Sequence, residues 1–419
     1  MSISTCTYPD GLRLGKGAAI KLRRVRIQSY KALGDVDLRV PDKSLLLIGQ
    51  NGAGKSSILQ ALAFINYFAN GASGDFFKDR GWSPMDLHHR AEGPRPTTIS
   101  FDILLEGARR KRFVWQFDWG LKTQKTLRES MWSIEEGGAR KIFQFSKAGL
   151  TIGSSTEVMA KLRISGSILD VVNMDDLGTD NLAAQTILEW GRGITSLELL
   201  SPSAIRGSVR AFSTDIGLRG ERLAGFLAGL ESAQKAEVVR RLAKYYPIGN
   251  IETIRKRAGW IDMRIREARS GITLSVDHVS DGLLRLMALA AIPELGDDAS
   301  LVLLDEVEDG LEPHILPKII ADITRESAAQ IIMTSHSPIL LNFVDAESAA
   351  LVTRDDRGRS KVTRASDLRT FSSGEDLFAP GELWLNTSLP TLQRQAERVA
   401  IPDLDGVNYR ERIRLLASQ

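Results

Sequence analysis

Apolar positions along this chain follow two rhythms. Leu45 to Ile48 form an unbroken apolar run, as in a strand buried on both faces. The next apolar residues, Ile58, Ala61, Leu62, Ile65 and Phe68, recur at helical spacing. Residues 97–119 switch to period two: Ile99, Phe101 and Ile103, then Phe113, Trp115, Phe117 and Trp119, predict a hairpin. Its aromatic stripe could stack bases, but an inward-facing core strand is the favoured reading. Strand signals continue through Phe143 and Phe145, and residues 182–246 read mainly as helices. Residues 260–276 return as two alternating strands. Further apolar runs end at Asp305 and at Thr334, and a last hairpin turns at Asp355 to Gly358 before a charged helical tail. No long heptad run appears.

Composition adds bounds rather than direction. With 419 residues, 43% hydrophobic and 26% charged, the chain matches a globular protein that can bury a large core. A formal charge of +3 permits a nucleic-acid partner without arguing for one. The single Cys6 suits a reducing compartment. No run reaches the roughly 20 apolar residues a membrane span needs, and the start lacks a signal-peptide pattern, so a cytoplasmic protein is expected. Basic residues cluster at 108–112 and 254–269, where a solvated strand edge is the ordinary reading and a groove contacting DNA phosphates or an acidic partner the functional one.

The chemistry concentrates at two strand ends. Gly49, Gly54, Lys55 and Ser56 fit G-x-x-x-x-G-K-[ST] between a strand and a helix. Such a loop turns its N–H groups inward and cradles phosphates, so Gly49, Asn51, Gly52, Ala53, Gly54, Lys55, Ser56 and Ser57 are the expected nucleotide-binding residues. Lys55 should reach the terminal phosphates, and Ser56 should ligate magnesium. The strand from Leu301 ends in Asp305 and Glu306, a costly pair unless a cation or a water is handled there. Asp305 is placed to hold magnesium through water, which leaves Glu306 free to prepare the attacking water. Ser280, Asp281 and Gly282 open a helix with Ser280 as its cap, a second anion site. A third strand ends in Thr334, Ser335 and His336.

In this order the motifs resemble the ATP-binding-cassette ATPases. More narrowly, the chain is similar to the RecF, SMC and OLD-type branch, including small AAA-family ATPases of bacterial anti-phage systems. Residues 20–40, with Tyr30 and Lys31 at an aromatic-basic turn, "SDG", "DEVEDGLEP", "TSHSP" and "GELWLN" carry the likeness. Val307, Asp309 and Glu312 depart from it, and no convincing glutamine links the metal to the second lobe; His88, His89 or Arg90 stand in that region. The resemblance implies an α/β head: a P-loop mixed sheet flanked by helices, an antiparallel β lobe, a compact helical insert and no long coiled-coil arms. It divides the chain into an extension (1–19), two core parts (20–95 and 259–367), the β lobe (96–180), the insert (181–258) and a tail (368–419).

It also implies ATP and Mg2+ as cofactors and a homodimer or higher homo-oligomer. One subunit would supply Lys31, Lys55, Ser56, Asp305, Glu306 and His336, and its partner would close Ser280 and Gly282 over the phosphate. Glu308 and Asp309 would let the two sites sense each other, or would form no more than a solvated turn. Lacking clustered Toprim acids, a Cys/His metal set and room for another catalytic domain, the chain is expected to act on a separately encoded effector such as a nuclease. DNA is a further candidate partner and a membrane is not. The alternatives are a RecF-like DNA repair or maintenance ATPase and, behind it, the nucleotide-binding half of an importer.

Overall fold

The computed structural model describes residues 20–89, 97–136, 138–153, 155–157, 163–198, 200–372 and 378–399. The expected extension 1–19, Cys6, Arg90 and the tail beyond residue 399 lie outside them. Two sheets enclose one helix. The mixed sheet runs Ile194–Leu197, Leu301–Leu304, Gln330–Ser335, Ser44–Gly49, Ala349–Arg354, Ser360–Arg364, parallel up to its last, antiparallel strand. An antiparallel sheet of eight strands starts at Leu33–Arg39 and Lys21–Tyr30 and continues through Thr98–Glu106 and Arg112–Gly120 to Ser155–Glu157. A three-stranded sheet, Ile248–Arg255, Ile261–Glu267 and Thr273–Ser275, stands apart.

Each buried parallel strand feeds two cores, because alternate side chains leave by opposite faces. Leu45, Leu47, Leu301, Leu303 and Ile332 join the core under the antiparallel sheet. Leu46, Ile48, Val302, Leu304 and Met333 join the other, against the helices Asp281–Ala291 and Leu316–Glu326. The helix Lys55–Ala69 is wedged into the first core. Its Phe68 stacks on Phe117 with ring centroids 3.8 Å apart, and its Phe64 meets Trp119 edge-on at 5.2 Å. Trp115, Phe117 and Trp119 are all buried. The aromatic stripe is therefore core, not a base-stacking surface.

Two expectations change. Residues 182–246 do hold the helices Asn181–Arg192, Pro202–Ile205, Leu223–Gly229 and Ser232–Ala243, but Ile194–Leu197 leaves them to become the edge strand of the mixed sheet. Four residues between helices carry too little periodicity to be read as a strand. The first hairpin, grouped by sequence with the ATPase core, pairs instead with the β lobe, with Ile27 opposite Phe101. The basic run 108–112 caps a tight, exposed turn in which Arg109 and Arg110 take positive φ. Among the described residues no helix is long and apolar enough to cross a membrane.

One buried acid clamps the lobe. Glu129, fully buried, accepts Trp115 Nε1 at 2.9 Å, the Ser167 hydroxyl at 2.6 Å and Ile168 N–H at 2.6 Å, tying residues 167–168 to the sheet. Burial pushes its carboxyl from 4.5 up to about 7, overriding three donors that favour the charged form. A folded-state value above the unfolded one means the folded chain holds the proton more tightly. This contribution is therefore complete below the unfolded value and is lost as pH rises through about 7. The shift corresponds to about 3 kcal/mol. Thermal melts at pH 5 and pH 8 should show this slope in the native chain and lose it in Glu129→Gln, whatever the variant's absolute stability. An unchanged slope would refute the assignment.

Candidate functional site

Three neighbouring parallel strands end side by side, with Leu304 paired to Met333 and Ser335 to Ile48. Their carboxyl ends carry Gly49, Asp305 and His336, so the sheet's register alone gathers the chemistry seen in the sequence. The loop after Gly49 curls tightly. Gly54 has φ 110°, and a Cβ there would lie 2.1 Å from the Ser360 hydroxyl oxygen; one on Gly49 would lie 2.2 Å from the Val352 carbonyl oxygen. Ser360 braces the loop by donating its hydroxyl to Ala53 O at 2.6 Å and its N–H to Ala32 O at 2.9 Å. Asn51 and Gly52 form the exposed crest, Ala53 is buried, and Ser57 is half-buried in the first turn of the helix.

Lys55, the first residue of that helix, folds back into the loop. Its Nζ donates to Gly49 O at 2.8 Å and Gln50 O at 3.1 Å, and it lies 3.2 Å from His336 Nδ1. An ammonium only donates, so Nδ1 of His336 is the acceptor and a neutral ring carries its proton on Nε2. That nitrogen faces Glu306 Oε1 at 3.4 Å. Burial lowers the Lys55 ammonium below the ordinary lysine value, while Asp305, Glu306 and Glu308 oppose the shift.

Asp305 Oδ1 accepts two hydroxyls, Ser56 at 3.2 Å and Thr334 at 2.5 Å. The Thr334 oxygen in turn accepts the Glu306 N–H at 2.8 Å. Glu306 is held at φ 50°, a left-handed conformation that costs a non-glycine residue about 1 kcal/mol. Glu308 turns inward, and its Oε1 accepts the backbone N–H of His336. Ser56 Oγ and Asp305 Oδ1 make a hard oxygen pair of the kind Mg2+ takes together with water and phosphate. Among the described residues no three His, Cys, Asp or Glu side chains converge into an all-protein metal cage.

The remaining expected residues occupy other places. Lys31, at φ 49° in the first hairpin turn, donates to Gln60 Oε1 of the P-loop helix at 2.9 Å and sits 3.1 Å from the Trp82 ring centroid. His88 bridges Tyr30, and His89 Nδ1 donates to Lys31 O at 2.5 Å, so both histidines brace that turn. Ser280 caps its helix by accepting Leu283 N–H at 3.3 Å, and Asp281 pairs with Arg206 at 2.7 Å. Gly282 abuts Gly310, whose carbonyl oxygen lies 2.7 Å from where a Cβ would stand. Asp309 pairs with Arg285 of the same helix at 2.7 Å. The fold thus brings Lys55, Ser56, Asp305, Glu306, Glu308 and His336 together, and holds Ser280, Asp281 and Gly282 on a helix joined to the 305–310 turn through Gly310 and the Asp309–Arg285 pair. The sequence offered Thr334 only as a strand end and gave no role to Ser360, Gln60, Trp82, Arg206 or Arg285.

Comparison with known proteins agrees with this architecture. The Smc head bound to the C-winged helix domain of ScpA is 17% identical, with 82% of this chain and 97% of that one covered at a TM-score of 0.53. An Smc head with an extended coiled coil, bound to the C-terminal domain of ScpA from Pyrococcus furiosus, is 15% identical, with 82% and 96% covered at 0.51. At these identities the likeness concerns the fold alone. It agrees with the head architecture read from the motifs, and a P-loop domain of this kind implies ATP binding and hydrolysis. Residues 44–342, more than half of the chain, match one family throughout, and the chain belongs to it: AAA domain, putative AbiEii toxin, Type IV TA system.

Proposed function

We propose that this chain is an ATP-driven switch whose hydrolytic site is completed by a second copy. The observation that carries the reading is the position of His336, between the Lys55 ammonium at 3.2 Å and the Glu306 carboxylate at 3.4 Å. In this arrangement the loop N–H groups and Lys55 hold the β and γ phosphates. Ser56 would hold Mg2+ directly, and Asp305 would hold it through water. Bound there, the cation supplies charge neutralisation for the transferring phosphoryl group. Glu306 accepts the proton of the attacking water, and His336 orients Glu306 through Nε2.

The helix Asp281–Ala291 capped by Ser280, the signature helix, acts in trans. Ser280 is exposed, and neither it nor Gly282 has a partner from the P-loop in the hydrogen bonds and close approaches described above. In this reading a partner's γ-phosphate meets the N-terminal end of the helix, ATP joins two copies, and hydrolysis loosens them. Asp309, tied to Arg285 of the signature helix, and Glu308, tied to His336, occupy one turn. They are the route by which closure is sensed.

The output is a change of contacts with a separately encoded effector in a cytoplasmic defence system. Two likenesses support a protein partner: the family is named for a putative toxin, and the similar Smc heads are bound to ScpA domains. A RecF-like role on DNA is the second reading, favoured by the basic run 254–269.

Two outcomes follow from the site. Glu306→Gln should retain ATP while turnover falls roughly 100-fold or more, the usual contribution of a general base. Lys55→Ala should lose nucleotide binding itself. Phosphate release and fluorescent-nucleotide binding distinguish the two, and unchanged turnover in Glu306→Gln would remove it from the chemistry. Ser280→Arg should bind ATP nearly normally yet hydrolyse none. Mixed with Lys55→Ala, it should regain about a quarter of native turnover, because half of the two-fold dimers then carry one intact composite site. Full activity of either variant alone would contradict a shared site.

A further inference from the structure

The three-stranded sheet carries a surface that the ATPase chemistry does not use. Along Ile261–Glu267, the side chains of Ile261, Met263 and Ile265 are buried, while Arg264 and Arg266 leave by the opposite, exposed face. Trp260 shares that alternation and is exposed. The turn before it presents exposed Lys256 and Arg257, with Ala258 and Gly259 at positive φ.

A second segment lies alongside. Val209 and Ile261 exchange backbone hydrogen bonds of 3.2 and 2.7 Å, which set Arg210 and Phe212 beside the turn. Phe212 is 61% exposed, among the most exposed large hydrophobic side chains described. The Arg210 guanidinium lies 4.5 Å from the Trp260 ring centroid, and that of Arg255 lies 5.9 Å from the Phe212 ring. Ser208, Lys256, Arg257 and Trp260 line an open cleft of about 760 Å³. Five basic side chains, Arg210, Lys256, Arg257, Arg264 and Arg266, thus share this surface with two acids, Asp262 and Glu252, and Arg255, opposite Ile261 in the ladder, lies against Phe212 at its edge. Asp262 is occupied by Lys256 and by the Ser208 hydroxyl, and Glu252 stands opposite Arg264 in the ladder.

We propose that this surface binds single-stranded nucleic acid. Its basic groups match the phosphates, and its two exposed rings offer the π faces on which unpaired bases stack. A duplex keeps those faces inside its own stack and would engage only the charges. An acidic protein would match the charges too, and competition by polyglutamate separates that outcome. From Trp260 to Arg266 the exposed face runs about 20 Å, enough for a few nucleotides. Both elements lead to the signature helix. The strand continues through Thr273–Ser275 and Val276–His278 to Ser280, and Arg206, at the root of the second segment, holds Asp281 together with the Val276 and Val279 carbonyls. The proposal is independent of whether a second copy completes the ATP site.

Fluorescence anisotropy with a labelled thymidine oligonucleotide of about 20 bases, and with a blunt duplex of the same length, tests it across a salt series. The single strand should bind tighter than the duplex. Trp260→Ala and Phe212→Ala should each weaken it roughly 10-fold, and Trp260→Tyr, which keeps a ring, should restore most of the loss. Arg257→Ala should reduce the salt slope by about 0.7. All four variants should hydrolyse ATP as the native chain does. Absence of binding at low salt, equal affinity for duplex, or ring variants that bind like wild type would overturn the proposal. So would full displacement of the oligonucleotide by polyglutamate at matched charge, which would mark the face as a site for an acidic protein.

Discussion

Asp305 Oδ1 receives the hydroxyls of Ser56 and Thr334, and through them joins the P-loop helix to the ends of two neighbouring parallel strands. Much of the site follows from that junction. Thr334 uses its oxygen again to accept the Glu306 N–H, which holds Glu306 in its left-handed conformation and aims its carboxylate at His336. Lys55 fixes the same histidine from the other side and sets its tautomer. The Lys55 ammonium feels the charge of Asp305, Glu306 and Glu308, while hydroxyl donors hold Asp305 and a backbone N–H holds Glu308.

The same turn connects this centre to the helix proposed to act on a partner. Residues 305–310 carry Asp305, proposed for the metal, Glu306, proposed for the water, the acceptor for the His336 backbone and the ion-pair partner of Arg285, in that order. The approach of Gly282 to Gly310 leaves no space for a side chain between them. The Gly282–Gly310 contact and the Arg285–Asp309 pair are the two links through which a displacement of that helix would reach the turn.

What the sequence made legible was local. The P-loop, the acidic strand end and the Ser280 cap each need only a few adjacent residues in a fixed order, and the structure places them as expected. The strand Ile194–Leu197 was not legible, since its partner Leu301–Leu304 lies about a hundred residues away and supplies the hydrogen bonds that define it. Thr334 and Ser360 escaped for a related reason: a hydroxyl has no signature until the fold shows what it touches. Glu308, expected to sense a second subunit, has its partner within the chain at His336, a pairing visible only once the strands stand side by side. The stripe of Trp115, Phe117 and Trp119 was legible as a strand, and the packing of the P-loop helix against it decided which way it faces.

The central claim is that ATP draws the signature helix of one copy over the P-loop of another, and proximity across that gap tests it most directly. Ser280 and Asn51 are both exposed in the single chain. With Cys6 replaced by serine, a chain carrying Ser280→Cys is mixed with one carrying Asn51→Cys in the Glu306→Gln background and treated with a short bifunctional thiol reagent. The account predicts a two-chain product that forms with ATP and Mg2+ and is lost with ADP. A product indifferent to nucleotide, or none in either state, would contradict it.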